Sequence, residues 1–341
     1  MGSQHTPPIT NYPIHPSRAA FILHPFPMLS PADLLRLPYT PDLTEGGIAY
    51  ALLSLPYKNV SYDQLRRTVS QAIVELAFRR YLSQQDIPFD ITAATPFTDP
   101  ARFDVSLGGH RCDVKSQLIS DRRNISKLRH NPDTLLKVSA LIPVEPAIGD
   151  GRFASDHDLL LFAVLLGLTA TSLSDLKKAV GANQPNYLIH LMPEKWRNPQ
   201  NWNPLGTLTL KSDSSSELKV EISGQNQSRE KLTRLVILPP KTRVTLDESF
   251  YSITTLHVKN IPTARVGIHS RIIKQAYIIP PLDWKNIWVY GMDIILAGYI
   301  TRGEFRQRAK TAKSLSLPIT ELHPLPDLFV RVKEWTAGRK R

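Results

Sequence analysis

Between Ser61 and about Leu82, the apolar residues Leu65, Val69, Ala72, Ile73, Leu76 and Ala77 recur every three and four positions. That is the period of an amphipathic helix, and it is the strongest helical signal in the chain. Three short strands are predicted to follow, over 86–95, 102–107 and 110–118, separated by Pro96 to Pro100 and by Gly108-Gly109. Asp121 is placed as the N-cap of a basic helix running to about Lys137, and the unbroken apolar run from Leu159 to Leu166 reads as a strand buried on both faces. A helix from Ser174 and a strand from Tyr187 to Met192 would complete an alternating α/β layer.

The pattern then changes. Short β-type segments follow at 206–211, 218–223, 234–238, 252–258 and 275–279, a β-rich stretch with exposed loops at Ser212 to Ser216 and Gln225 to Ser228. Residues 288–300 return to strand-like apolar character. Thr301-Arg-Gly-Glu304 has capping-box spacing for a helix that carries Arg306, Arg308, Lys310 and Lys313. At the other end, residues 1 to about 45 hold nine of the 28 prolines, which predicts an extended arm. Within it, Ser30-Pro-Ala-Asp offers the start of one short helix. The expected organisation is a proline-rich arm (1–45), an α/β core (46–204), a β-rich module (205–279), and a strand-helix unit with a basic tail (280–341).

Composition narrows the function. Of 341 residues, 42% are hydrophobic and 21% charged, which describes a folded protein. The 42 Lys and Arg against 30 Asp and Glu give a net charge of +12, which points to a polyanionic partner. A single cysteine, Cys112, excludes an internal disulfide and a cysteine-based zinc site, and fits a reducing cytoplasm. The longest apolar run, 159–168, is far short of the ~20 residues of a membrane span, so no membrane association is expected. No G-x-x-x-x-G-K-[ST] loop occurs, which argues against an NTPase.

The chemistry concentrates in Phe103-Asp-Val-Ser-Leu-Gly-Gly-His-Arg-Cys-Asp-Val-Lys-Ser-Gln117. With Gly108-Gly109 as a two-residue turn, Leu107 pairs with His110, and Asp104 is expected opposite Asp113 with Cβ atoms about 4.5 to 5.5 Å apart. Alternation places Phe103, Val105, Leu107, Cys112 and Val114 on a core face, and Asp104, Asp113, Lys115 and Gln117 on the other. Facing carboxylates destabilise a sheet unless a cation joins them. Lys115 supplies part of that compensation and a divalent ion would supply the rest. Mg²⁺, which prefers oxygen ligands, suits converging carboxylates.

Asp104, the Asp113-Val-Lys115 tripeptide nine residues on, and the upstream helix bearing Glu75 together resemble the PD-(D/E)xK, or restriction-endonuclease-like, nuclease superfamily. The resemblance spans about residues 61 to 170. It departs from the motif at Phe103, which stands where proline gives the family its name. The resemblance implies an α/β fold with a restriction-endonuclease-like core, its mixed central sheet flanked by helices, to which the β-rich module is added. It further implies that Glu75, Asp104 and Asp113 are metal ligands for Mg²⁺, with Mn²⁺ able to substitute, and that Lys115 is the catalytic base or electrostatic stabiliser. Gln117 would position water or phosphate. Arg122, Arg123, Lys127 and Arg129 of the following helix are placed to grip phosphates of double-stranded DNA.

The implied activity is sequence-specific DNA cleavage of restriction, homing or mobile-element defence type, in the cytoplasm near the nucleoid, with a homodimer as the natural way to cut both strands. Two other readings stand beside it: a structure-specific repair or transposon-end nuclease, and a basic DNA-binding protein whose acids are structural. Ordinary roles are expected for Cys112 as an inert buried thiol, His110 as a turn residue, and Asp156 and Asp158 as loop caps.

Overall fold

The computed structural model describes residues 29–54, 61–91, 104–143, 155–169, 172–182, 188–199, 204–258, 264–273, 275–286, 289–311 and 314–339. The expected segments at 92–103, including Phe103, and most of the proline-rich arm lie outside the described residues. Of the arm, Pro31–Asp33 forms one 3-10 turn closed by Ser30 and Asp33, followed by strand β1 (Leu35–Leu37). The expected extended run to residue 45 ends early, because Pro41 opens helix α1 (Pro41–Ser54). Proline suits a first helical turn, where its missing N–H costs no hydrogen bond.

Helix α2 (Tyr62–Gln84) begins where Ser61 accepts a hydrogen bond from the Gln64 N–H at 3.1 Å. Its apolar stripe, including Leu65, Val69, Ile73 and Phe78, is buried against α1 and the sheet. The strand expected over 86–95 reduces, in its described part, to a single bridge between Asp90 and Ser106. Strands β2 (Val105–Leu107) and β3 (His110–Ile119) form the hairpin. Helix α3 (Arg122–His130) is capped by the Asp121 side chain, which accepts from the Asn124 N–H at 2.9 Å. It stops short of the expected Lys137: Pro132 cannot continue an α-helix, and Pro132–Lys137 forms a separate 3-10 segment.

Strand β4 (Ser139–Pro143), which the sequence pattern did not reveal, is followed by β5 (Leu159–Thr169). Next come α4 (Leu173–Gly181), β6 (Leu188–Leu191) and the short α5 (Glu194–Arg197). The β-rich region contributes β7 (Gly206–Ser212), β8 (Leu218–Asn226), β9 (Lys231–Leu238), β10 (Arg243–Val258), β11 (Val266–Ser270) and β12 (Tyr277–Ile279). Then follow β13 (Lys285–Asn286), β14 (Val289–Thr301), α6 (Arg302–Arg308), β15 (Lys310–Thr311), β16 (Ser314–Pro318) and α7 (Leu325–Arg339).

The first sheet has the order β1-β14-β5-β3-β2, with β3 and β5 parallel and the other pairs antiparallel. It is a mixed sheet with helices on its flanks. Leu159, Leu161, Ala163 and Leu165 face a core shared with α1, α2 and α7, whereas Leu160, Phe162, Val164 and Leu166 face a second core containing Ile125, Leu128 and Phe305. Burial on both sides is why β5 reads as a continuous apolar run. The small sheet β15-β16-β4 supplies Ala140 and Leu317 to that second core.

The second sheet runs β12-β11-β7-β10-β6-β13, with β8 and β9 continuing from the other edge of β10. It holds a separate core around Leu208, Val220, Phe250, Leu256, Ile268 and Trp196. Strand β6, expected in the α/β layer with the nuclease-like core, instead pairs with β10 in this second sheet. In the C-terminal region, α7 buries Leu325, Leu328 and Val332 in the first core. Among the described residues no helix is long and apolar enough to cross a membrane.

Candidate active site

The hairpin turn is held by Gly108 and Gly109, with φ of 54° and 85°. Positive φ at both central positions is the type I′ arrangement, whose twist matches that of paired strands. It sets the expected register: Leu107 pairs with His110, Ser106 with Arg111, and Val105 with Cys112. His110 sits beside the turn with its ring 4.3 Å from that of Trp335. Cys112 is fully buried and burial pushes its thiol well up, so it is an inert core residue.

The ladder stops one pair short of Asp104 and Asp113. The Asp104 N–H donates to the Cys112 carbonyl at 3.1 Å, and its carboxylate Oδ2 accepts from the Val114 N–H at 2.7 Å. The expected cross-strand pair of aspartates is thus replaced by a side-chain cap. Where β2 ends, the Val114 N–H would otherwise lose its partner inside the protein, and the carboxylate meets that need. Asp104 is consequently only 7% exposed.

Glu75 approaches the same place from α2 and is 4% exposed. Its neighbours are Asp104 and Arg79. Arg79 forms an ion pair with Glu75 one helical turn away and donates to the Asp104 carbonyl at 2.7 Å. Burial above all, and then the negative charge of Asp104, push the Glu75 carboxyl up to about 8, against the pull of Arg79.

Asp113, Lys115 and Gln117 alternate with Cys112 and Val114 and lie on the opposite side of the sheet. Their parallel partners Leu160, Phe162 and Val164 belong to the second core. Asp113 Oδ2 lies 3.5 Å from Lys115 Nζ and accepts from Arg302 Nη2 at 3.0 Å. Gln117 lines a narrow cleft with Lys115, Ser139 and Phe162, and its Oε1 is buried without a hydrogen-bond partner among the described residues.

Arg302 was not foreseen from sequence. It is the first residue of α6, whose start is fixed by the expected capping box: Thr301 Oγ1 accepts from the Glu304 N–H at 3.2 Å, and Glu304 Oε2 accepts from the Thr301 N–H at 3.1 Å. Burial alone would raise the Glu304 carboxyl, but hydrogen bonds from His323 and from the Thr301 N–H and hydroxyl hold it down at about 2. The N–H groups of Arg302 and Gly303 donate to the carbonyls of Asp158 and Asp156 at 2.8 and 3.0 Å, joining α6 to the loop before β5. Asp158 also accepts from the Ser155 N–H, the expected loop-cap role, and lies 3.8 Å from Arg302.

On α3, Ile125 and Leu128 are buried while Arg122, Arg123 and Lys127 are exposed. Arg129 is also exposed but is bound to Asp293 of β14 at 2.6 Å.

The structure therefore brings together two groups at one hairpin. Glu75 and Asp104 meet on the α2 side. Asp113, Lys115 and Arg302 meet on the other, and Val114, bound by Asp104, separates Asp113 from Lys115 in the chain. Among the described residues, no three His, Cys, Asp or Glu side chains form a group able to hold a metal ion. Two converging carboxylates do fit Mg²⁺, which commonly takes one or two carboxylates and completes its octahedron with water and substrate phosphate.

Comparison with protein-family models, curated proteins and solved structures finds no match to this chain.

Proposed function

We propose that this chain is a Mg²⁺-dependent DNA endonuclease with a restriction-endonuclease-like core. One observation carries the reading: Glu75 and Asp104, 29 positions apart in sequence, are buried side by side at the foot of the strand that bears Asp113 and Lys115. Two adjoining buried carboxyls are costly to ionise, and a divalent cation is the partner that would neutralise both.

Glu75 and Asp104 are the residues that would hold Mg²⁺ or Mn²⁺; Asp113, the third ligand that the family resemblance implies, lies on the other side of the sheet and is bound to Arg302. Such an ion supplies a water of lowered pKa and stabilises charge on the phosphodiester. Lys115, which the family resemblance makes the residue that orients the attacking water or shares the developing negative charge, is held beside Asp113. The exposed cations Arg122, Arg123 and Lys127 of α3 grip phosphates of double-stranded DNA, and the second sheet governs the choice of target. Cleavage of both strands calls for two copies of the chain.

A second reading draws on the ion pairs Glu75–Arg79 and Asp113–Arg302, which already compensate two of the acids within the fold. In that reading the acids are structural and the protein binds DNA without cutting it. Plasmid nicking in Mg²⁺, against the same protein in EDTA, separates the two. The wild type should nick only with the metal, and Lys115→Ala or Asp104→Asn should slow nicking by at least about a hundredfold while duplex binding persists. Absence of metal-dependent nicking by a folded, DNA-binding wild type would establish the structural reading.

A further inference from the structure

The outward face of the second sheet carries a concave basic surface. On β7, β10, β11 and β12, alternation sends Leu208, Leu210, Ile268 and Ile279 into the core and the intervening side chains outward. The register aligns the outward residues in two rows. Arg243 lies beside Lys211, then Gly267, then Ile278; Thr245 lies beside Thr209, then His269. All of these but Thr245 line, together with Arg265 and Asp213, a depression of about 510 Å³.

Two features mark the depression as an anion site. Lys211 and Arg243 stand directly opposite each other on antiparallel strands, an arrangement of like charges that destabilises a sheet unless an anion joins them. Neither makes an ion pair among the described residues, and the acid in the lining, Asp213, is bound to Arg265 through both carboxylate oxygens at 2.7 and 2.8 Å. Beside them, the Thr209 and Thr245 hydroxyls are hydrogen-bonded to each other at 3.0 Å, which leaves one O–H to donate to a phosphate oxygen.

The shape and chemistry of the lining narrow the occupant. Gly267 has no side chain, and a Cβ built there would meet only the Lys211 carbonyl, at 3.9 Å, so the floor beside Lys211, on the side away from Arg243, is open. Among the described lining residues there is no Phe, Tyr or Trp on which an unpaired base could stack. Proteins that hold single strands depend on such platforms, whereas duplex backbone is held by cations and hydroxyls at phosphates. We infer that this face seats the phosphate backbone of duplex DNA, with Lys211 and Arg243 at its centre. The choice of DNA as the polyanion rests on the nuclease reading, and the site itself rests on the geometry.

The test is binding of a fluorescently labelled mixed-sequence duplex by the full chain in EDTA, titrated between about 50 and 200 mM salt. The double variant Lys211→Gln/Arg243→Gln should lower the slope of log affinity against log salt by about two and weaken binding at least tenfold. Its melting temperature should hold or rise, because a like-charge pair has been removed. The control Lys177→Gln/Lys219→Gln, which removes the same charge from exposed positions elsewhere, should change the slope by less than half as much. Unchanged affinity and slope in the first variant, or an equal loss in the control, would overturn the site. A protein that fails to nick DNA with Mg²⁺ yet loses duplex binding in the first variant alone would keep this site and lose the nuclease reading.

Discussion

Glu75 is the residue at which burial and chemistry conflict most sharply. Its carboxyl is pushed up to about 8 from an ordinary 4.5, so the folded protein holds that proton more tightly than the unfolded chain. The corresponding stability is fully present below pH 4.5 and is lost as pH rises through about 8. In EDTA, melting temperatures of wild type and Glu75→Gln should therefore diverge across that window, with the wild type losing ground as pH increases. Mg²⁺ at pH 8 should recover part of the loss in wild type only, because an ion that binds the folded state alone stabilises it. Parallel curves in EDTA would show that Glu75 keeps its ordinary titration. The neighbouring residues show what sequence can and cannot disclose at this scale. Alternation along one strand was enough to place Asp113, Lys115 and Gln117 on one face. The cap made by Asp104 was hidden, because it depends on where β2 ends and on which backbone donor is then left unpaired. Arg302 was hidden for a different reason: it reaches Asp113 from 189 positions away, and no local period records that distance.

The two elements that frame the site are pinned by local devices of the kind that sequence records well. Gly108-Gly109 marked the hairpin, and Thr301-Arg-Gly-Glu304 marked the start of α6. What sequence did not show is the cover over the turn. A Cβ at Gly108 would lie 2.7 and 2.8 Å from Trp335 atoms of α7, on a backbone already at positive φ. Gly108→Ala should thus cost at least about 2 kcal/mol, combining left-handed strain with overpacking. Thermal melts would read that loss, and Trp335→Ala in the same background should return the overpacking part of it. If Gly108→Ala melted with the wild type, α7 would not be closed over the turn. Loss of the α6 cap is a milder change. Thr301→Ala should remove about 1 kcal/mol of stability. Because α6 presents Arg302 to Asp113, the same change should lower the nicking rate by more than the fraction of unfolded protein explains, a difference that rate and melt measured together would resolve.

For the molecule as a whole, the least legible feature was which sheet a short strand joins. The pattern of a helix from Ser174 followed by a strand to Met192 continues the α/β alternation, yet β6 finds its partners in Val258 to Thr255, far along the chain. Pairing at that separation is decided by the two cores, and β6 serves both. Ile189 packs into the first, Leu188 into the β-rich one, and the Leu191 N–H donates to the Tyr62 hydroxyl of α2 at 2.9 Å. A strand whose alternate side chains fill different cores cannot come apart from one without disturbing the other. Scanning calorimetry should accordingly show one transition, with calorimetric and van't Hoff enthalpies in agreement. Excision of residues 205–279 should not yield a soluble nuclease with relaxed target choice. It would strip β10 from β6 and expose Leu188, Met192 and Trp196, which are buried by the second core. The excised chain is expected to aggregate or to melt well below the wild type. Two resolved transitions in the intact chain, or a well-folded excised one, would show that β6 couples nothing and that the two sheets are independent units.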